Sequence, residues 1–146
     1  MTLPKVTIYT DGACDPNPGP GGWAVVILEE GQVHQLSGFE DHTTNNRMEL
    51  TAAVRALQSL HRPSQVEFFT DSQYLMLGIT QWLPKWIRRG WRTTSGKVAN
   101  QDLWQILVDT AQNHQIRWRW LRGHNGDVYN EMADRLARAA MNKRSP

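Results

Sequence analysis

Four acidic residues stand in four separate sequence contexts, each of which makes an unpartnered carboxylate costly. They are Asp11 in YTDGA, Glu49 in NNRMEL, Asp71 in FFTDSQ and Asp134 in NEMADRL. Each follows a strand-like run or lies at the edge of an apolar helix face, where a carboxylate is unfavourable unless a positive group binds it. Hard divalent cations such as Mg²⁺ prefer oxygen ligands. The sequence therefore predicts a metal centre built from these side chains.

Each acid also has a purely structural interpretation. Asp71 could cap the helix that follows it, and Asn46 and Glu49 could form a variant capping box. Asp134, taken alone, is typical of a solvated helix surface. The pair Asp11 and Asp71 favours chemistry, because both follow strands that are predicted to be parallel neighbours. Ligands of open α/β sheets bind beyond the carboxyl ends of such strands.

His124 is the nearby group best suited to moving protons near neutral pH, and it lies in a loop predicted at residues 123–127. A lone loop histidine is more often incidental than catalytic. Four carboxylates without a Cys or His cluster favour Mg²⁺ or Mn²⁺ over zinc. Two such ions, about 3.5–4 Å apart, would suit phosphodiester hydrolysis. Acyl transfer and dinucleotide binding are disfavoured, because their nucleophile-elbow and glycine motifs are missing.

The elements that must position these residues form an α/β pattern. Strands are predicted at 5–9, 23–28, 33–39, 66–70 and 115–121, and helices at 44–60, 72–78, 81–89, 100 or 101 to 114, and 128–142. Residues 15–22 are predicted to form a tight loop, and 90–99 an exposed loop. Helical crossovers separate the first, fourth and fifth strands, which should therefore pair in parallel. The predicted fold is a mixed five-stranded sheet, antiparallel in its first three strands, flanked by helices.

The net charge of +2 conceals a basic segment. Between residues 81 and 101 there are five cations and no acidic residue, which leaves the rest of the chain at −3. The cations are Lys85, Arg88, Arg89, Arg92 and Lys97. Three tryptophans, Trp82, Trp86 and Trp91, are interleaved with them. This composition predicts binding of a polyanion, and a cationic loop that only aids solubility is the alternative.

Length and composition are typical of one soluble globular domain, at 146 residues with 40% hydrophobic and 21% charged. The single cysteine, Cys14, has no internal partner for a disulfide, which favours a reducing compartment. No signal-like apolar region precedes the first strand, and the longest apolar run, 23–28, is far shorter than the roughly 20 residues that cross a bilayer. We therefore expect a cytoplasmic monomer.

Four sequence blocks together resemble the ribonuclease H type 1 family in their order and spacing. They are TDGACDPNPGPGGW, TTNNRMEL, TDSQY followed by GITQW, and RGHNGDVYNEMADRLA. WLPKWIRRGW is similar to the basic protrusion of the longer bacterial-type members. The resemblance spans nearly the whole chain. It implies a single ribonuclease H domain over 1–146, with the protrusion at about 81–100.

The resemblance implies cleavage of the RNA strand of RNA–DNA hybrids, leaving 5′-phosphate and 3′-hydroxyl ends. It implies that Asp11, Glu49, Asp71 and Asp134 hold two Mg²⁺ ions, and that His124 assists proton transfer or product release. The residues implied to contact the minor groove, where the 2′-hydroxyl marks RNA, are Cys14, Asn17, Asn45, Asn46 and Gln73. Those implied to bind the DNA strand are Thr44 and Asn100, in a phosphate pocket, and Trp82 and Trp86 with Lys85, Arg88 and Arg89.

Two other interpretations remain open. A resolvase- or transposase-like DNA nuclease of the same fold would also use clustered carboxylates, although the Asn and Gln side chains beside the acids suit minor-groove hydroxyls. A non-catalytic module that only binds hybrids is the second alternative, and the presence of all four carboxylates disfavours it.

Overall fold

The computed structural model describes residues 2–122 and 126–143 of the chain. The strands are β1 Lys5–Cys14, β2 Gly19–Glu29, β3 Gln32–Thr43, β4 Gln65–Thr70, β5 Arg92–Thr93, β6 Gly96–Lys97 and β7 Gln115–Trp120. The helices are α1 Asn45–Gln58, α2 Gln73–Leu77, α3 Leu83–Arg88, α4 Gln101–Ala111 and α5 Val128–Met141. A π-helical turn, Gly78–Trp82, joins α2 to α3.

Five strands form one mixed sheet in the order β3-β2-β1-β4-β7. β1 pairs antiparallel with β2, and β2 with β3, whereas β4 runs parallel to both β1 and β7. The predicted fold is confirmed, including the antiparallel wing and the two parallel pairings. β5 and β6 form a separate two-stranded hairpin.

Helices cover both faces of the sheet. Alternation along β1 and β4 sends Ile8 and Phe68 into the core beneath α1, and Tyr9 and Phe69 toward α5. The Tyr9 and Phe69 rings stack with centroids 4.9 Å apart. α4 packs against α1, while α5 packs on β1 and β2. Helices cover both faces of the parallel strands, so that only the ends of these strands remain accessible. The carboxyl ends all lie on the same side of the molecule.

Helix α1 begins where the sequence predicts it. Thr44 is the N-cap, and its hydroxyl oxygen accepts a hydrogen bond from the Arg47 backbone N–H at 3.2 Å. Since the third helical residue is therefore Arg47, the alternative of a capping box between Asn46 and Glu49 is wrong. The interpretation of Asp71 as a helix cap is also wrong, because the Ser72 hydroxyl caps α2.

Two predicted boundaries in the first hairpin are wrong. β1 does not stop at residue 9 but continues to Cys14, and β2 starts at Gly19, within the segment predicted to be a loop. The reason is that Cys14 still pairs with Gly21 across the hairpin. Gly22 serves a packing need, because a Cβ there would overlap the Ala137 carbonyl of α5.

The predicted helix break near Gly78 is also wrong. The chain remains helical through α2, the π turn and α3, since a Cβ at Gly78 would overlap the ring of buried Trp104, and glycine lets the two segments approach. The loop predicted at 90–99 contains the β5–β6 hairpin and ends in Val98, which is buried.

Across the two described ranges, no helix combines the length and apolar character needed to cross a membrane.

Candidate active site

Asp11 and Asp71 lie side by side where the parallel pairing of β1 with β4 ends. The last residues paired between β1 and β4 are Thr10 and Thr70, so each aspartate comes directly after this parallel pair. Asp11 remains within β1 and is paired with Ala24 of β2. Its side chain is almost fully buried, at 4% exposure, whereas Asp71 is half-buried.

Glu49 reaches the same edge from the second turn of α1 and is also 4% exposed. Gly12 makes this approach possible, because a Cβ there would stand 2.6 Å from the Glu49 backbone nitrogen. The Gly12 backbone N–H donates to Glu49 Oε1 at 3.1 Å and to Asp11 Oδ1 at 2.9 Å. One backbone amide therefore holds two carboxylates in place.

Ligand oxygens of Asp11, Glu49 and Asp71 lie within 4.8 Å of one another. Glu49 Oε2 is buried and has no hydrogen-bond partner among the described residues. A buried carboxylate oxygen without a donor is unfavourable unless a proton or a cation binds it. This geometry brings together three of the four predicted ligands.

Burial and mutual repulsion disfavour the ionised forms of this cluster. Burial, followed by the charge of Asp71, raises the pKa of Asp11 to about 8, and hydrogen bonding with Asp134 also raises it. Burial, followed by the charge of Asp11, raises the pKa of Glu49 well above its usual value. Without a bound cation, the pair therefore retains a proton near neutral pH.

The residues present fit a divalent cation. The donors are hard carboxylate oxygens from three elements, and none of the described residues places a cationic side chain in an ion pair with Asp11 or Glu49. Binding a cation would satisfy Glu49 Oε2 and replace the retained proton.

Asp134 borders the cluster from α5. Its side chain is 27% exposed, and its Oδ1 forms an ion pair with Arg138 Nε at 3.2 Å. It is not part of the group of three, although its hydrogen bonding contributes to the raised pKa of Asp11. Asp127 fixes the start of α5 by accepting from the backbone N–H groups of Tyr129 and Asn130. His124 lies outside the described residues.

The residues predicted to contact the minor groove lie on the elements that carry the carboxylates or in the segments directly beside them. Asn17 Oδ1 accepts from the Asn45 backbone N–H at 3.1 Å, which joins the β1–β2 turn to the start of α1. Cys14 Sγ lies 3.4 Å from the Pro16 carbonyl oxygen. Asn46 and Gln73 are exposed, and Gln73 is the first residue of α2.

One residue that the sequence prediction omitted contacts both members of the predicted phosphate pocket. Thr44 begins α1, and Asn100 immediately precedes α4. Arg47 contacts both, through its backbone N–H to Thr44 Oγ1 and through Nη1 to Asn100 Oδ1 at 3.2 Å. Its position three residues after Thr44 was a signal that could have identified it.

The basic protrusion, residues 81–100, presents all five cations to solvent. Trp82 and Trp86 are half-buried and pack together with ring centroids 5.7 Å apart. Trp86 also contacts Trp91 and the fully buried Trp104. The tryptophans thus anchor the protrusion to the core while the cations remain free to meet an anion.

A mixed five-stranded sheet with carboxylates that converge at the carboxyl ends of its parallel strands is typical of a class of metal-binding α/β proteins. The RNase H family model matches residues 4–142, and the chain belongs to this family. It is 57% identical over 136 residues to the ribonuclease H of Granulibacter bethesdensis, covering 92% of this chain and 91% of the relative. It is 55% identical over 138 residues to that of Thiobacillus denitrificans, covering 94% and 93%.

Solved structures share the fold. LC9-RNase H1, described as a type 1 RNase H with the type 2 active-site motif, matches with a TM-score of 0.87 at 34% identity, covering 99% of this chain and 75% of that one. LC11-RNase H1, solved in complex with an RNA/DNA hybrid, matches with a TM-score of 0.75 at 24% identity, covering 94% and 97%. The assignment to the type 1 ribonuclease H family is confirmed.

Proposed function

We propose that this protein is a metal-dependent endoribonuclease that hydrolyses the RNA strand of RNA–DNA hybrids. The observation that carries the proposal is the buried convergence of Asp11, Glu49 and Asp71, with Glu49 Oε2 left without a partner in the described part of the chain. Membership of the family and relatives named ribonuclease H support the substrate class. Hydrolysis would leave 5′-phosphate and 3′-hydroxyl ends.

Asp11, Glu49, Asp71 and Asp134 would hold two Mg²⁺ ions, with Mn²⁺ as a substitute. When bound, such ions activate water and stabilise the leaving oxygen of a phosphodiester. Burial of Asp11 and Glu49 excludes water from one side of the site, and the Gly12 amide keeps both carboxylates oriented. His124 would transfer a proton or assist product release.

Recognition of the hybrid would divide between two surfaces. Cys14, Asn17, Asn45, Asn46 and Gln73 would contact the minor groove, where the 2′-hydroxyl distinguishes RNA. Thr44 and Asn100 would hold a phosphate of the DNA strand. Trp82 and Trp86 would bind the DNA backbone with the exposed cations Lys85, Arg88 and Arg89. We also propose that residues 1–146 act as one ribonuclease H domain, as a cytoplasmic monomer.

One panel of labelled substrates tests this function: RNA–DNA hybrid, duplex DNA, duplex RNA and single-stranded RNA, each with and without Mg²⁺. We expect cleavage of the RNA strand of the hybrid only, and only with the cation. Cleavage of duplex DNA would favour the resolvase-like alternative. Binding of hybrid without cleavage under every metal condition would favour the non-catalytic module.

A further inference from the structure

A hydrogen-bond chain links the predicted phosphate pocket to the aromatic base of the protrusion. Arg47 Nη1 donates to Asn100 Oδ1 at 3.2 Å, and Asn100 Nδ2 donates to Tyr74 Oη at 3.1 Å. Trp104 Nε1 donates to the same Tyr74 oxygen at 3.0 Å. Arg47 also forms two bonds to Asp102, at 3.1 and 2.9 Å. The chain therefore joins α1, α2 and α4 at one point.

The Asn100 side chain is fixed at both ends of its amide. Its oxygen accepts from Arg47, and one of its two Nδ2 hydrogens goes to Tyr74. The second Nδ2 hydrogen consequently has a fixed direction and remains available to an acceptor. Asn100 adopts a left-handed backbone with φ 60°, a conformation that asparagine tolerates better than most other non-glycine residues.

Arg47 organises the other half of the pocket as well. Thr44 Oγ1 accepts from the Arg47 backbone N–H, and among the described residues its hydroxyl hydrogen has no acceptor, so that it is available to donate outward. The guanidinium charge is matched by the two-pronged contact with Asp102, which lowers the pKa of that carboxyl. Arg47 is thus placed to orient the donors around it, with its own charge already compensated.

Tyr74 supplies the rigid end of the chain. Its ring lies between Trp82 and Trp104, with centroid distances of 5.7 and 5.5 Å. Trp104 is fully buried, so the Tyr74 hydroxyl is held by the core. Asn100 is therefore hydrogen-bonded to a hydroxyl group whose position is fixed by a buried side chain.

We propose that Arg47 and Tyr74 are positioning residues that hold Asn100 ready to donate to one phosphate of the DNA strand. This inference rests on the proposed function, and it adds two residues that act through Asn100 and do not themselves bind the substrate. A preset donor avoids the side-chain ordering that binding would otherwise require. The phosphate pocket and the protrusion would consequently bind the DNA strand as one unit.

The test replaces single phosphates of the DNA strand with neutral methylphosphonates, position by position, in an otherwise identical hybrid. In the parent protein, the neutral replacement should raise KM at one position of the DNA strand. In Asn100→Ala this position-specific increase should be lost. Arg47→Lys keeps a charge but not the planar fork that reaches Asp102 and Asn100 together. Tyr74→Phe removes the shared oxygen and keeps the ring. Both should lose most of the sensitivity and raise KM about 3–10-fold, with kcat within about twofold.

Arg55→Lys is the matched control, since it makes the same substitution on the same helix at a residue that contacts only the Trp23 ring among the interactions described. It should keep the parental profile. Simple destabilisation would weaken binding at every position and leave the position-specific sensitivity in place. Retention of the full profile by Arg47→Lys and Tyr74→Phe would overturn the proposal, as would an insensitive parent.

A binding experiment separates the proposed activity from the proposed positioning role. Asp11→Asn is introduced into the parent and into each variant, and binding of the same substrates is measured. This arm reports the phosphate contact whether or not the RNA is cleaved. A parent that cleaves no hybrid but shows the position-specific loss would remove the proposed activity and keep the positioning role. A parent that cleaves hybrid without the position-specific loss would keep the proposed activity and remove the positioning role.

Discussion

The carboxylate cluster and the basic protrusion handle charge in opposite ways. Asp11 and Glu49 are buried at 4% exposure, and their pKa values are raised by burial and by neighbouring acids. The five cations of the protrusion are all exposed, and none forms an ion pair within the described ranges. In the cluster, buried carboxylates repel one another, and a bound cation would offset this repulsion. In the protrusion, the charged side chains are solvated.

This difference indicates a division of roles. Buried like charges are unfavourable unless a proton or a counter-ion neutralises them at a fixed place. Exposed cations on a surface held by packed tryptophans attract a polyanion over a wider range and with little geometric demand. Substitutions in the cluster should therefore change turnover, and substitutions in the protrusion should change affinity and its dependence on salt.

The largest expected effect is that of Asp11→Asn. Losing one ligand of the metal site should lower kcat more than about 10⁴-fold, because stabilisation of several kcal/mol at the reacting phosphate is lost. Turnover of labelled hybrid with Mg²⁺ measures it, and circular dichroism checks that the fold is retained. Unchanged turnover would contradict the role of the cluster.

His124→Ala tests whether the cluster needs a separate proton carrier. We expect kcat to fall about 10²–10⁴-fold, the range found for a positioned general acid or base. Multiple- and single-turnover rates, compared in the same preparation, distinguish chemistry from product release. A loss smaller than tenfold in both would assign His124 an auxiliary role.

Neutralising the protrusion should act on binding. With Lys85, Arg88, Arg89, Arg92 and Lys97 changed to Gln, the slope of log affinity against log salt should fall by roughly 4–5 if all five meet phosphates, taking the duplex-DNA coefficient as an upper guide. Binding titrations across salt concentrations measure it. Five Lys and Arg residues outside 81–101 changed in the same way provide the comparison, and a slope equal to the parental one would exclude the proposed role.

The last prediction concerns the stability of the protein without metal. Because the folded pKa of Asp11, about 8, lies above its unfolded value, the folded state binds more protons, and stability falls as pH rises from about 4 to 8. The total is on the order of several kcal/mol, at about 1.4 kcal/mol per pKa unit. Thermal unfolding in a chelator should show this decline. Asp11→Asn should reduce it, since burial still raises the pKa of Glu49, and added Mg²⁺ should reduce it as well. A Tm independent of pH in the chelator would contradict it.

Much of the fold follows from local patterns. The apolar spacing of Leu50, Ala53, Val54 and Leu57 predicts α1, and these side chains are buried in the structure. Short apolar strands separated by helical segments predict the parallel pairing of β1 with β4. Local signals fail where distant packing decides. Glycine at position 78 indicates a helix break, yet the chain stays helical there, and the glycine instead makes room for the ring of Trp104.

Four acids can be identified as candidate ligands without a structure, because their types and their places after strands or at helix margins are local properties. The folded chain is needed to show that three of them lie within 4.8 Å of one another, and that Arg47 contacts both Thr44 and Asn100. These outcomes depend on contacts between residues far apart in the chain, such as Gly12 with Glu49. Distances of this kind are set by side-chain volume and strand register, which no local pattern specifies.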